Sequence, residues 1–212
     1  MITFAGMKRI VVLLTSLLLG WSFGCSQALD KLTSYGQLHS CDLLFCLNPE
    51  GNAITDVTRG ANDWQIDHVG IYHKGRVIEA IPEKGVCLTP IDSFMERNRH
   101  LIIIGRVTKS FSKRKTLRKA DTLMGLPYDS LYMPDLKAIY CSELVQQCFV
   151  DKRGLLLFSP IGMTFRDSSG EITPYWTSFY GQLQMAVPEG LPGSNPGELS
   201  RQKAVKLLYQ TF

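Results

Sequence analysis

Three short blocks of this chain carry residues that can do covalent chemistry. They are Asp67-His68-Val69-Gly70-Ile71-Tyr72, Val77-Ile78-Glu79-Ala80 and Tyr140-Cys141-Ser142-Glu143-Leu144. A thiol, an imidazole and a carboxylate are the set needed for nucleophilic acyl transfer: the thiolate attacks, the imidazole moves the proton, and the carboxylate fixes the imidazole tautomer. Leu144, Val145, Cys148 and Phe149 recur at helical spacing and predict a helix from Ser142 to about Asp151. Cys141 then sits at the helix N-terminus, where unpaired N–H groups and the positive end of the macrodipole favour thiolate over thiol. The plainer alternative is a buried cysteine that only packs, because free cysteine is among the most buried residue types. What decides between them is whether the chain supplies a base and an orienter.

A hairpin supplies both. With Lys74-Gly75 as a two-residue turn, His73 pairs with Arg76, Ile71 with Ile78, Gly70 with Glu79 and His68 with Ile81. Side chains alternate along each strand, so His68, Gly70 and Tyr72 share a face with Val77, Glu79 and Ile81. Val69, Ile71, Ile78 and Ala80 fill the opposite, core face. Glu79 becomes a diagonal neighbour of His68, at roughly 7–8 Å between backbones, across a glycine with no side chain to obstruct the contact. A lone His or Glu reads as structural; both on one face read as a functional pair. His73 falls at the turn on the other face and is expected to be exposed, and His39 and His100 have no carboxylate in a matching register.

The elements that must position these groups follow from pattern. Asp42 to Leu47 is a strand-like apolar run, and Asn48-Pro49-Glu50-Gly51-Asn52 is turn chemistry leading into a polar loop to Asn62 that could border a cleft. Val86 to Thr89 is a further strand. Thr89-Pro90-Ile91-Asp92 reads as an N-cap with proline at the first helical position, opening a helix to about Asn98. Leu101 to Ile104 is a strand covered on both faces. Lys113 to Met124 is a basic amphipathic helix stopped by Gly125, its cations a solvated face or, less simply, a contact for anionic polymer. Residues 154–196 are rich in Pro, Gly and aromatics and carry no assignment; Leu199 to Gln210 has helical periodicity. Hairpins and separate helices together give an α+β class, with no internal repeat and no second domain.

The chain has 212 residues with 45% apolar and 20% charged content, a globular composition that one domain accommodates. A net charge of +4 is too weak to argue for nucleic acid, and no nucleic-acid-binding motif occurs. Lys8-Arg9, the apolar run Ile10 to Gly20 and the small residues after it form an export signal over residues 1–25, leaving 26–212 as a single domain; the run is too short for a transmembrane span. Ser26-Gln27-Ala28 suits an ordinary signal peptidase, while Gly24-Cys25-Ser26 resembles a lipoprotein box that would lipidate Cys25. Cys41 and Cys46 are an odd number of residues apart and face opposite sides of a strand; disulfide pairing among Cys41, Cys46, Cys87 and Cys148 stays open. No cysteine or histidine spacing suits a metal, and no cofactor is implied.

In order and composition the blocks Asp42-Leu43-Leu44-Phe45, Asp67 to Tyr72, Val77 to Ala80, Pro127-Tyr128-Asp129 and Tyr140 to Leu144 resemble permuted papain-like amidases of the YaeF/YiiX type. These are circularly permuted relatives of the NlpC cell-wall peptidases and of lecithin–retinol acyltransferase. The resemblance spans Asp42 to about Phe149 and implies a permuted papain-like fold, an antiparallel sheet packed against the helix that bears the nucleophile. The roles it implies are Cys141 nucleophile, His68 base and Glu79 orienter. Cys41 departs from the pattern, since the family usually has glycine there. Tyr128 and Tyr140 flank the nucleophile in sequence; either phenol could help bind an oxyanion, and each could equally be a core tyrosine. The leading expectation is an exported cysteine hydrolase, periplasmic or membrane-anchored, acting on cell-wall peptides through a thioester. Its alternatives are a thiol acyltransferase or lipid hydrolase and a non-catalytic envelope lipoprotein. A long apolar groove beside Cys141 would favour lipid, and a short polar cleft with a charged anchor would favour peptide.

Overall fold

The computed structural model describes residues 37–98 and 102–208. The expected export signal, Cys25, His100 and all but the last few residues of the segment between the signal and Ser40 lie outside the described residues.

A six-stranded antiparallel sheet forms the centre, in the order β4-β3-β2-β1-β5-β8. β1 is Leu43–Leu47, β2 is Ile66–His73, β3 is Arg76–Ile81, β4 is Gly85–Pro90, β5 is Ile102–Val107 and β8 is Val205–Leu208. Alternation along the strands builds two cores. Leu43, Phe45, Val69, Ile71, Ile78 and Ala80 look to one face, and Leu44, Cys46, Tyr72, Val77 and Ile102 to the other. The first face is covered mainly by α4 (Cys141–Cys148), with α3 (Lys113–Leu123) and α6 (Pro196–Arg201) contributing. The second is covered by α2 (Ile91–Arg97) through Ile91 and Phe94. Because both faces are covered, β1 is apolar at every position and wholly buried. Cys41 and Cys46 fall in opposite cores, as their spacing requires, and the five cysteines among the described residues are free thiols.

The fold is therefore the α+β arrangement the sequence implies, with several local differences. Lys74 and Gly75 both take positive φ, at 47° and 77°, which gives the tight hairpin turn and the pairs His73–Arg76, Tyr72–Val77 and Ile71–Ile78. The β2–β3 ladder ends there, so Gly70–Glu79 and His68–Ile81 are not ladder pairs. β2 follows β1 instead, pairing His68 with Cys46 and then shifting register so that Leu47 meets Ile66. Such a bulge bends the strand and re-aims its side chains.

Thr89 does not cap α2: β4 continues to Pro90, which occupies the cap position with no side-chain cap bond. α4 begins at Cys141 itself and stops at Cys148, shorter than its periodicity suggests, because Phe149 turns extended and Val150 bridges to Leu156. The helix expected over Leu199 to Gln210 is a correction: α6 ends at Arg201 and the chain then forms β8. Its residues complete the open edge of β5, Val205 opposite Val107 and Leu208 opposite Ile104, so backbone pairing outweighs the helical pattern. The polar loop contains a short helix, α1 (Ala53–Val57), held by an Asn52–Thr55 capping box. His73 is half-buried and bonded to Ser40 rather than fully exposed.

Residues 154–196 supply a ribbon, β6 (Ile161–Gly162) against β7 (Pro192–Gly193), and the aromatic helix α5 (Pro174–Gln182). Met163, Phe165, Trp176 and Tyr180 form a third apolar cluster, against which Ile54 and Val57 of α1 pack.

Candidate active site

Cys141 is the first residue of α4, capped by Tyr140 in extended conformation. The first intrahelical bond from the cap runs from Leu144 N–H to the Tyr140 carbonyl, so the N–H groups of Cys141, Ser142 and Glu143 point out of the helix end without intrahelical partners. Glu143, at the third helical position, folds back and accepts a hydrogen bond from the Tyr140 backbone. Burial, and then the charge of Asp129, push its carboxyl up to about 7. The segment before α4 is fixed by a parallel bridge between Tyr128 and Ile139, which lays Pro127-Tyr128-Asp129 alongside the approach to Cys141.

His68 and Glu79 arrive from the opposite side of the sheet. The His68 ring lies 6.1 Å from the Phe94 ring of α2, in the core that α4 does not touch. Its Nε2 is 2.7 Å from Glu79 Oε2, and the ring stands near enough to the Cys141 sulfur for that sulfur to raise its pKa. With Nε2 committed to Glu79, Nδ1 is the nitrogen left for sulfur. The two faces meet at the end of the hairpin, where the β2–β3 ladder has stopped and the bulge at His68 turns the strand.

Glu79 is fully buried and its carboxylate is saturated. Thr89 Oγ1 donates to Oε1 at 2.5 Å, and Arg97 Nη2 reaches Oε1 at 2.7 Å and Oε2 at 2.5 Å. Burial alone would raise its pKa, but the hydrogen bonds from His68 and Arg97, the His68 charge and the Thr89 hydroxyl bring it down to about 2. Burial likewise opposes charge on His68; the hydrogen bonds with Cys141 and Glu79 and their negative charges overcome it and raise its pKa to about 10. The arrangement thus holds Glu79 as carboxylate and His68 as imidazolium across neutral pH.

The two tyrosines differ. The Tyr140 hydroxyl accepts the Ser194 N–H at 2.9 Å and lies 3.9 Å from Met163 Sδ, so it is committed to the segment packed over α4. The Tyr128 phenol pairs with Tyr132, and its pKa is raised, first by burial and next by the charge of Cys141. Both line a pocket with Cys141, together with Trp176, Phe165 and Ile54. Asp67 is the one charged residue in that lining; its Oδ2 accepts from Asn48 Nδ2 at 2.9 Å and Asn52 Nδ2 at 2.8 Å.

Sequence reasoning missed Arg97 and Thr89. Thr89 was legible, since Val77 pairs with Thr89 and Glu79 with Cys87, which makes Thr89 a diagonal neighbour of Glu79. Arg97 had only the i, i+3 spacing from Phe94, a residue of the apolar face.

A model of permuted papain-like amidase enzymes, YaeF/YiiX, matches residues 39–209. The chain belongs to this family. Among solved structures, the permuted papain-like architecture is shared with the metalloprotein YiiX from Escherichia coli O157:H7, with TM-score 0.67 and 17% sequence identity, covering 83% of this chain and 99% of that one. At that identity the likeness speaks for the fold. Comparison with curated proteins returned no match. As a permuted papain-like amidase the chain stands among hydrolytic enzymes, and Cys41 takes a φ of +74° at a buried position, a left-handed conformation that favours glycine.

Proposed function

We propose that the chain is a cysteine hydrolase that cleaves an amide or ester through a thioester, with an apolar acyl group seated in the aromatic pocket. The observation that carries this reading is the position of His68, bonded to Glu79 at 2.7 Å and near enough to Cys141 for the sulfur to raise its pKa, beside that pocket. Cys141 sulfur attacks the carbonyl carbon while the thiol proton resides on His68. Collapse of the tetrahedral intermediate breaks the carbonyl–nitrogen or carbonyl–oxygen bond, and His68 delivers its proton to the leaving group. Water then attacks the thioester, His68 takes a water proton, and the acid and free thiol are released. Free N–H groups at the start of α4 are the donors for the oxyanion.

An apolar lining with Asp67 as its one charge favours an acyl body without carboxylates over a polyanionic stem peptide. Cell-wall peptides therefore remain a substrate only where an uncharged acyl portion enters the pocket. YiiX is a metalloprotein, but the residues around Cys141 do not fit a metal: Glu79 is filled by Thr89, His68 and a guanidinium, and no group of three or more candidate ligands stands together among the described residues. Export, with lipidation of Cys25, is part of the proposal and rests on residues 1–25 alone. No helix among the described residues is long and apolar enough to cross a membrane.

The test is incubation with muropeptides, acyl amides and phospholipids, read by mass spectrometry against Cys141→Ala, with an added amine as a second acyl acceptor. Release of a free acid by wild type alone is expected. Transfer to the amine without free acid would make it an acyltransferase, and no difference from Cys141→Ala in any arm would sink the reading.

A further inference from the structure

Two serines stand out among the residues that line the pocket. Ser142 Oγ and Ser194 Oγ are both buried and have no hydrogen-bond partner, and both residues line the pocket with Cys141. The hydroxyls come from different parts of the chain. Ser142 is the residue after the sulfur on α4, whose own first N–H groups lack intrahelical partners. Ser194 follows the β7 ribbon strand and is held over α4 by two bonds, its N–H to the Tyr140 hydroxyl at 2.9 Å and the Gly193 carbonyl from Gln146 Nε2 at 3.4 Å. Leaving one buried hydroxyl unsatisfied costs about 1–3 kcal/mol, so two of them on residues lining the Cys141 pocket call for a partner that arrives with the substrate.

We infer that Ser142 and Ser194 form a polar subsite that reads a hydrogen-bonding group on the acyl portion of the substrate. Both serines line the pocket that Cys141 lines, so the group they meet belongs to the acyl portion seated there. The substrate class is an acyl group with an apolar body and an adjacent oxygen or nitrogen: an N-acylated amino acid or a hydroxy acid, not a plain alkyl or arylalkyl chain. This rests on the hydrolase reading and narrows it, because an unadorned acyl chain would fill the apolar walls and strand both hydroxyls. A site built to hydrogen-bond a substrate discriminates strongly against the analogue lacking that group.

Three amides with one apolar body separate the possibilities: 3-phenylpropanamide, 2-hydroxy-3-phenylpropanamide and N-acetylphenylalaninamide. Their binding to the Cys141→Ala protein is measured by calorimetry, and release of nitroaniline from the matching anilides is measured with wild type. We expect the hydroxy or the N-acetyl compound to bind about tenfold or more tighter than the plain one. That ratio should fall toward one when Ser194→Ala or Ser142→Ala is added, with a melting curve on each variant to show that it folds. Which of the two compounds gains identifies hydroxy acid or aminoacyl as the source. Equal or better binding of the plain amide, no binding of any of the three at millimolar concentration, or a ratio that survives both serine variants would overturn the subsite. Selective binding without nitroaniline release would refute the hydrolase and leave the subsite standing; equal release from all three would do the reverse.

Discussion

Glu79 is the residue on which the electrostatics turn. Its one carboxylate holds His68, Arg97 and Thr89, and the Arg97 side chain is 41% exposed while Glu79 is fully buried. In Glu79→Gln the amide keeps the shape but cannot stabilise an imidazolium. The expected outcome is a drop in kcat/KM of about 100-fold or more. NMR titration should place the His68 pKa well below its value of about 10 in the parent protein. An unchanged His68 titration would contradict the pairing. The pH dependence of stability has the matching sign. Glu79, with its pKa lowered to about 2, contributes stability that is present above the ordinary carboxyl range and lost as pH falls from about 4.5 toward 2. His68, raised to about 10, contributes stability complete below about 6.5 and lost as pH rises through 10. The melting temperature should therefore hold between those limits and fall at both ends, and Glu79→Gln should flatten the acid fall.

At the scale of elements, the hairpin and α4 are joined by a sheet that opens. Gly70 is closely packed: a Cβ there would lie 2.3 Å from Val77 Cγ1 and 3.5 Å from the Phe94 ring. Gly70→Ala should cost roughly 1–3 kcal/mol of stability by overpacking, read as a lower midpoint in urea. It should also lower activity, because Phe94 backs the His68 ring. A neutral effect would mean that α2 moves freely. The glycine thus matters for the packing of Val77 and Phe94 rather than for clearing the path from His68 to Glu79. Alternating apolar residues made the hairpin, its turn and its two faces legible in sequence, and helical spacing made α4 legible to within a few residues. Neither pattern carries the bulge between Ile66 and His68, which depends on how β2 pairs with β1, so the sequence placed the two acid–base groups on one face without showing how they reach a helix on the other. Thr89 reads as a cap because N-cap chemistry and a buried carboxylate compete for the same hydroxyl, and in the fold the carboxylate wins. Leu199 to Leu208 departs from its helical pattern for a related reason: an open sheet edge is a property of the assembled fold.

At the scale of the molecule, the candidate site is built from distant stretches: β2–β3 and α2 give the acid–base pair, α4 gives the thiol, and the aromatic cluster of residues 163–180 closes the pocket. The export proposal belongs here as well. Cys25→Ala should abolish incorporation of a fatty-acid analogue that the parent chain takes up, and label persisting in the variant would exclude lipidation there. The proposed chemistry depends on His68 standing against Cys141. The most direct measurement is the rate of Cys141 alkylation by iodoacetamide at pH 6, followed by peptide mass spectrometry in the parent protein and in His68→Ala. Alkylation at least about tenfold faster than a free thiol, whose thiolate is scarce at that pH, is expected, with loss of the excess in His68→Ala. Alkylation no faster than a free thiol, and unchanged in His68→Ala, would contradict that chemistry.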